Sequence, residues 1–517
     1  MWTIDEIVAS NARKFGDRDA FVLGESRLGF AGLDREVTAA AAVFQAAGLE
    51  RGGRVAVMGR NSLLWVVAVL GVIRAGGVVV PVNHKLAAPE VAFILGHCEA
   101  SLWLFDGDFS GLAGAVPHPA GRFLLSPAGP ESSGVPDLSV AMRAGQAFRP
   151  VPLEATDPVE ILYTSGTTGR PKGCVHSHAG VLLAGLSSSL VFALGQTDRI
   201  LVAMPAWHAF PLNNLLFAGL YVGATSILME DYHPARFLDV IAKFRCTVFF
   251  GPPIAYVMPL NTGIAIRDSD IATMRLWIYG AGPIDPETLS RLTRHYRIGD
   301  FVQVYGMTET GPSGSALLPA EHATRAGSIG RAAGSGCEIR LMRTPTDPAG
   351  AGEVGEIWMR SQSMMLGYFN DPVATRDAFQ DGWYRTGDLA RMDRDGYLFI
   401  VDRARDAIVT GGENVYSKEV EDVISAYPGI VEVAVVGRPH PDWGETIVAL
   451  VVANGSLDCD ALTEFCAARL ARYKVPREIR CLDRLPRTPT GKIMKYALRA
   501  MVRSEAAELD GHANRRQ

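Results

Sequence analysis

Tyr163-Thr164-Ser165-Gly166-Thr167-Thr168-Gly169-Arg170-Pro171-Lys172-Gly173 is the stretch on which the reading of this chain turns. It follows a short β-like run, Val159-Glu160-Ile161-Leu162, and combines three glycines and four hydroxyl residues with a proline and a lysine near its end. Glycines permit close backbone approach, hydroxyls donate hydrogen bonds and lysine adds a positive charge, so the composition suits a loop wrapped around phosphate. A polar surface turn needs one or two such residues, not an ordered run ending in lysine. A Walker A loop requires a Gly-Lys pair followed by Ser or Thr; here Gly173 follows Lys172, which disfavours a kinase or GTPase.

Outward from the loop, short β-branched runs alternate with helical stretches. Strands are expected at 55–58, 78–82 and 102–105, with helices near 63–75 and 89–98, and strands resume at 200–204, 226–229, 247–250, 276–279 and 301–304. Such alternation predicts an α/β fold of strand-helix-strand units around parallel strands, and the number of units on both sides of the loop predicts two packed sheets. The stretch 117–152, rich in Pro, Gly and Ser, reads as an irregular connection. From about residue 327, glycine-punctuated strands at 355–360, 382–388 and 397–401 predict a small β-rich subdomain. After Arg403 the pattern becomes α+β, with helices near 417–426 and 459–472 and strands at 432–436 and 447–452. The expected division is therefore a large N-terminal domain over 1–402, with its β-rich part at about 327–402, and a small C-terminal α+β domain over 403–517.

At 517 residues the chain exceeds one compact domain. A net charge of −5 without a basic run makes nucleic acid an unsuitable partner. Seven cysteines, an odd number with no CxxC pair, argue against a structural zinc site and against a disulfide framework, and fit a reducing cytoplasm. The N-terminus carries Asp5, Glu6, Lys14 and Asp17 and no apolar core of signal-peptide type. The most apolar run, 63–73, is too short to span a bilayer and fits a buried helix, so no membrane span is expected.

Further stretches could carry chemistry. Pro205-Ala206-Trp207-His208 follows an apolar strand, and Tyr279-Gly280-Ala281-Gly282-Pro283 closes another. Tyr305-Gly306-Met307-Thr308-Glu309-Thr310 follows the strand at 301–304, which puts Thr308 and Glu309 at a strand's carboxyl end, where α/β sheets bind ligands. A hydroxyl and a carboxylate emerging together suit phosphate and Mg²⁺, a hard cation that prefers oxygen. Then come Tyr384-Arg385-Thr386-Gly387-Asp388-Leu389, Asp402-Arg403, Gly411-Gly412-Glu413-Asn414 and Pro486-Arg487-Thr488-Pro489-Thr490-Gly491-Lys492.

In this order, from about residue 4 to residue 495, these motifs closely resemble those of the adenylate-forming superfamily, which contains acyl-CoA synthetases, nonribosomal adenylation domains and beetle luciferases. The resemblance implies that Thr164, Ser165, Gly166, Thr167, Thr168, Gly169 and Lys172 cradle ATP phosphates, that Tyr305 packs on adenine, that Thr308 meets the α-phosphate and that Glu309 holds Mg²⁺. Gln303 and the Gly280, Ala281 and Gly282 segment would border the nucleotide and acyl group; the superfamily's usual Ser-Gly-Gly-Ala-Pro reads Tyr-Gly-Ala-Gly-Pro here. His208 and its aromatic neighbour Trp207 would gate the acyl pocket. Asp388 would hold the ribose hydroxyls, Arg403 ribose and phosphate, and Arg405 would be the hinge of a mobile C-terminal domain. Gly411 and Gly412 would line the pantetheine tunnel, Trp443, Tyr473 and Lys474 would contact the nucleotide end of CoA, and Lys492 would bridge the substrate carboxylate and the α-phosphate. His176 and His178 match no such role and read as structural.

The implied activity is that of an acyl-CoA ligase using ATP, Mg²⁺ and CoA on a carboxylic acid. Alternatives are a stand-alone adenylation enzyme loading a carrier protein, and a relative competent in one half-reaction or in ligand binding alone. The expected absence of a following carrier domain speaks against a multimodular synthetase and that of an insertion between the domains against acyl-AMP ligases that avoid CoA, while the Gly411-Gly412 loop and Lys492 favour the ligase over the two alternatives. The segments expected to shape the acyl pocket, 209–210, 251–256 and 280–283, mix small and apolar residues and offer no partner for a second charge, which points to a hydrophobic acid. Oligomeric state, a homodimer included, is left open.

Overall fold

The computed structural model describes residues 2–117, 119, 121–126, 134–164, 171–282, 284, 286–296, 301–333, 336–410, 413–440, 443–487 and 493–503. The chain forms two compact units, one of residues 1–340 with 358–385, the other of residues 341–357 with 386–517.

Among the described residues of the first unit, nine strands form one sheet in the spatial order Arg331–Ala332, Ser315–Leu317, Phe301–Tyr305, Leu276–Tyr279, Val248–Gly251, Arg199–Val202, Thr225–Leu228, Asp19–Leu23, Ser26–Gly29. Its middle pairs are parallel and its edges antiparallel. A second sheet of seven strands runs Gly367–Tyr368, Lys172–Ser177, Pro158–Thr164, Val78–Val82, Arg54–Met58, Leu102–Phe105, Gly121–Leu124. Both contribute to one apolar core, Val55, Val57 and Leu104 from the seven-stranded sheet and Ile200, Val202 and Ile278 from the nine-stranded one.

Helix Leu63–Arg74 explains its own composition. Every residue from Trp65 to Arg74 is buried, so the helix is apolar all round rather than along one stripe. Arg74, the exception, is buried by pairing: its guanidinium meets the Asp34 carboxylate at 2.7 Å. The connection expected to be irregular at 117–152 contains two short elements, strand Gly121–Leu124, parallel to Leu102–Phe105, and helix Leu138–Arg143, capped by Asp137. Elements of four and six residues are too short to show a period against a Pro- and Gly-rich background.

In the second unit the strands run Glu413–Val415, Ile408–Thr410, Gly444–Ala453, Ile430–His440, with Glu478–Cys481 parallel to Gly444–Ala453. Both faces are covered. Ile447, Ala449 and Val451 turn toward helices Ser417–Ser425 and Cys459–Ala467, while Val448 and Leu450 turn toward Leu498 and Val502 in the helix at 495–503. The second expected helix ends at Ala467 instead of 472, and Arg472–Lys474 forms a separate 3-10 turn. The β-rich segment supplies strands Cys337–Thr344, Val354–Ser361, Trp383–Met392 and Leu398–Arg403 to one sheet, and the units divide within the first three of them.

Candidate active site

The loop expected around phosphate is carried on a hairpin of the first unit. Strands Pro158–Thr164 and Lys172–Ser177 pair antiparallel, with Thr164 opposite Lys172 and Tyr163 opposite Gly173. A Cβ on Gly173 would lie 2.7 Å from Ile161 Cγ2, so close packing excludes a side chain there. Ser165, Gly166, Thr167, Thr168 and Gly169 lie outside the described residues; the structure places the two ends of the loop, Thr164 and Lys172.

A third strand then joins this hairpin to Glu309. Gly367–Tyr368 pairs with Lys172–Ser177, Tyr368 opposite Cys174, and Lys172 Nζ sits 4.8 Å from the centroid of the Tyr368 ring. The Tyr368 hydroxyl donates to Glu309 Oε1 at 3.0 Å. Glu309 stands in the 3-10 turn Thr308–Thr310, just beyond strand Phe301–Tyr305, and is buried at 7% exposure. The Met365 N–H donates to the Glu309 carbonyl at 2.9 Å and the Thr310 hydroxyl to the Ser313 carbonyl at 2.7 Å, so the turn is fixed through its backbone. Gly311 ends it at φ +70°, where a Cβ would come within 2.2 Å of the Ser363 carbonyl oxygen. Burial, reinforced by the Glu309 charge, pushes the Tyr368 and Tyr384 hydroxyls up, so both remain protonated donors at neutral pH.

Glu309 has the oxygen chemistry that a magnesium ligand would need. One of its oxygens takes the Tyr368 hydrogen bond, and among the described residues the other takes none. Those residues hold no group of three or more His, Cys, Asp or Glu that could form a protein cage. Mg²⁺ suits this arrangement, because it keeps several waters and binds through one or two carboxylates together with substrate phosphates.

The residues expected to border the acyl group lie on several elements of the first unit. His208 is exposed, its ring 5.2 Å from that of Trp207, and it leads into a π-helix, Phe210–Phe217. Phe210 stacks on Phe250 at 4.2 Å, and a Cβ on Gly280 would lie 3.4 Å from Phe250 Cε2 and 2.9 Å from Val304. Phe210, Phe250 and the Gly280 backbone therefore make one apolar wall. Tyr279 turns the other way: it is 1% exposed, donates to Gln303 Oε1 at 3.3 Å and lies 3.2 Å from His322 Nε2. Gln303 is thus engaged in the interior, whereas its neighbour Tyr305 is half-buried at the strand end. Tyr256, at the end of one expected pocket segment, is also interior, its hydroxyl donating to the Ile278 carbonyl at 2.6 Å. Ala281 adopts φ +64°, a left-handed conformation where glycine is usual, while Gly282 does not. A cavity of about 540 Å³ opens nearby between Met204, Pro252, Ile254 and Ala255 on its apolar side and Arg60, His84, Lys85 and Asp231 on its polar one, with Arg60 paired to Asp231 at 3.2 Å.

His176 and His178 lie behind the loop in the interior. Burial lowers both to about 4, so they are neutral at physiological pH. His178 Nδ1 accepts the Ile4 N–H at 3.2 Å, holding the start of helix Ile4–Phe15.

In the second unit, Asp388 and Arg403 face each other across paired strands, with Arg403 Nε 3.1 Å from Asp388 Oδ1. Arg405 is exposed in the turn that follows. Trp443 is 45% exposed beneath the Arg477 guanidinium, 4.6 Å from its ring centroid, and Arg477 also donates to Thr410 Oγ1 at 3.3 Å, one residue before Gly411. Lys474 is held by the Glu419 carboxylate at 2.7 and 2.8 Å, with Tyr473 exposed beside it. Gly411, Gly412 and Lys492 lie outside the described residues. Tyr368 and Arg477 escaped sequence reasoning; Tyr368 stands 59 residues from Glu309 and reaches it only across the fold.

A hydroxyl- and lysine-ended loop beside a strand-end carboxylate, on a doubly wound α/β body, defines an enzyme that handles a nucleotide's phosphates. The chain belongs to the AMP-binding enzyme family: the family's sequence model matches residues 8–369 and the model of the AMP-binding enzyme C-terminal domain matches residues 419–492. It is 35% identical to the long-chain-fatty-acid-CoA ligase FadD13 of Mycobacterium tuberculosis, over 92% of this chain and 93% of that one. It is 36% identical to feruloyl-CoA synthase of an Amycolatopsis species, over 92% and 94% respectively. Among solved structures, ATP-bound MatB from Rhodopseudomonas palustris superposes with a TM-score of 0.86 at 29% identity, covering 97% of this chain and 99% of that one.

Proposed function

We propose that this enzyme is an acid-thiol ligase that converts a hydrophobic carboxylic acid into its acyl-adenylate with ATP and then into its CoA thioester. The observation that carries the reading is the linked set Thr164, Lys172, Tyr368 and Glu309, which gathers a hydroxyl at one strand's C-terminal end, a cation at the start of its hairpin partner and a carboxylate just past a third strand's C-terminal end. In the first step a substrate carboxylate oxygen attacks the α-phosphorus, a P–O bond forms and the bond to pyrophosphate breaks. Charge gathers on the α-phosphate oxygens, where Lys172, Thr308 and Lys492 would stabilise it; one preorganised donor of this kind is typically worth roughly 10² to 10³ in rate. Glu309 would hold the Mg²⁺, which neutralises phosphate charge, and Tyr368 keeps that carboxylate oriented. In the second step the CoA thiol, with an ordinary pKa near about 8.5, loses its proton and the sulfur displaces AMP from the acyl carbon. Trp443 and Arg477 would take the adenine and phosphate end of CoA by stacking and by charge. Both steps use one acyl site but need different groups around it, which rotation about Arg405 would supply.

The aromatic wall of Phe210 and Phe250 favours an aromatic or aliphatic acid. The test is a two-part assay over a panel of such acids: acid-dependent pyrophosphate exchange with ATP, and thioester formation from supplied acyl-AMP and CoA. Both activities are expected in the native protein, and Lys492→Ala is expected to lose the first by at least 10²-fold while keeping the second. Equal loss of both steps would remove the role given to Lys492, and absence of both from the native protein would remove the ligase reading.

A further inference from the structure

Glu160 is a buried carboxyl for which the chemistry above has no use. It lies on strand Pro158–Thr164, four residues before the loop begins, at 2% exposure. Its partner is distant in sequence: Asn213 Nδ2 donates to Glu160 Oε1 at 2.7 Å across 53 residues. Asn213 stands within the π-helix Phe210–Phe217, and the next residue, Asn214, donates through Nδ2 to Ser188 Oγ at 2.7 Å. Ser188 belongs to helix His178–Val191, which follows the loop hairpin directly. Both asparagines are fully buried, and the other six residues of the π-helix are apolar.

A π-helix is rare and carries one extra residue in its turn; relaxing to an α-helix would rotate the chain before it by about 100°. What comes before it is His208, whose carbonyl accepts the Leu212 N–H at 3.1 Å at the start of the helical run. Apolar packing is non-directional and does not by itself choose between the two windings. The two carboxamide hydrogen bonds do, because each fixes one residue of the π-helix to a defined atom of a neighbouring element. Among the described residues the buried carboxamide oxygens of both have no hydrogen-bond partner, whereas both amide nitrogens donate.

We infer that Glu160, acting through Asn213, is a positioning residue of the acyl gate: it keys the winding of the π-helix, and with it the direction of His208, to the hairpin that carries the phosphate loop. The inference rests on the ligase reading and deepens it, since it makes the acyl gate and the ATP loop parts of one hydrogen-bonded frame.

The test uses the whole protein and acid-dependent pyrophosphate exchange. Asn213→Leu is expected to raise KM for the acid at least tenfold while moving KM for ATP less than threefold. In a His208→Ala background the same substitution is expected to add less than twofold, because its effect passes through His208. Glu160→Met is expected to match Asn213→Leu, and Glu160→Gln, which keeps an acceptor oxygen in place, to rescue the acid KM to within threefold of native. Should Asn213→Leu fail to fold, Asn213→Ser removes the carboxamide without adding bulk and is judged by the same criteria. An acid KM within threefold of native in the Asn213 variant, multiplicative effects with His208→Ala, or equal losses in Glu160→Gln and Glu160→Met would each overturn the inference. Native protein without acid-dependent exchange would instead overturn the ligase reading itself.

Discussion

A neutral phenol donating to a buried carboxylate is a charge-assisted hydrogen bond, and such bonds are worth about 1.5–3 kcal/mol. Tyr368→Phe removes that donor from Glu309 while leaving the ring under Lys172 in place. The expected outcome is a fall of about tenfold or more in kcat/KM for adenylation, with a higher Mg²⁺ concentration needed for half-maximal pyrophosphate exchange. A magnesium titration of both proteins checks it. In the second unit, Lys474 is occupied by Glu419, whereas Arg477 lies over the exposed Trp443. Arg477→Ala should therefore raise KM for CoA by roughly threefold to tenfold, the worth of an exposed cation–π contact of about 0.5–1 kcal/mol together with a phosphate contact, with a smaller rise for Lys474→Ala. Initial rates of thioester formation against CoA decide between them. Thr164, Lys172, Thr308 and Glu309 are readable from sequence because each sits in a contiguous motif. Tyr368 and Arg477 are not, because their partners are reached across strands and turns.

Two elements flanking the phosphate loop carry buried titratable groups with opposite linkage. His178 caps the approach of helix Ile4–Phe15 and is lowered to about 4, mainly by desolvation, from an ordinary value of 6.5. Its neutral form is favoured by folding, so its contribution is present above pH 6.5 and declines as pH falls from there toward 4. Between pH 7.5 and 5.5 the native protein should lose about 1.3 kcal/mol that His178→Asn does not lose. Glu160 behaves in the reverse sense: burial raises it from 4.5 to about 7, so its contribution is full below pH 4.5 and lost as pH rises through 7. Glu160→Gln should therefore gain about 2 kcal/mol on the native protein between pH 5.5 and 7.5. Urea unfolding at the two pH values measures both, and parallel pH slopes for all three proteins would contradict the assignment. The strand-helix alternation around these elements is visible in sequence, and so is the loop between them. The π-helix is not, because Phe210 to Phe217 reads as any apolar helix.

At the scale of the molecule, the second unit holds apolar cores on both faces of its five-stranded sheet, built entirely from residues between Ile408 and Val502. A fragment of residues 403–517 is therefore expected to fold alone and to melt in one cooperative transition by circular dichroism; a broad, non-cooperative melt would show that strand Leu398–Arg403 or its partners are required. The sequence by itself determined the class of fold, the order of the motifs, the family and the ends of the phosphate loop, because periodicity and contiguous motifs are properties of neighbouring residues. Only the tertiary structure decided that Tyr279 and Gln303 face the interior, that Tyr368 serves Glu309, and that Glu160 meets Asn213. It also decided that the β-rich segment divides between the two units. The physical reason is common to all four. Hydrogen bonds and strand pairings join residues by distance in space, and chain positions tens of residues apart carry no local signal of which will meet.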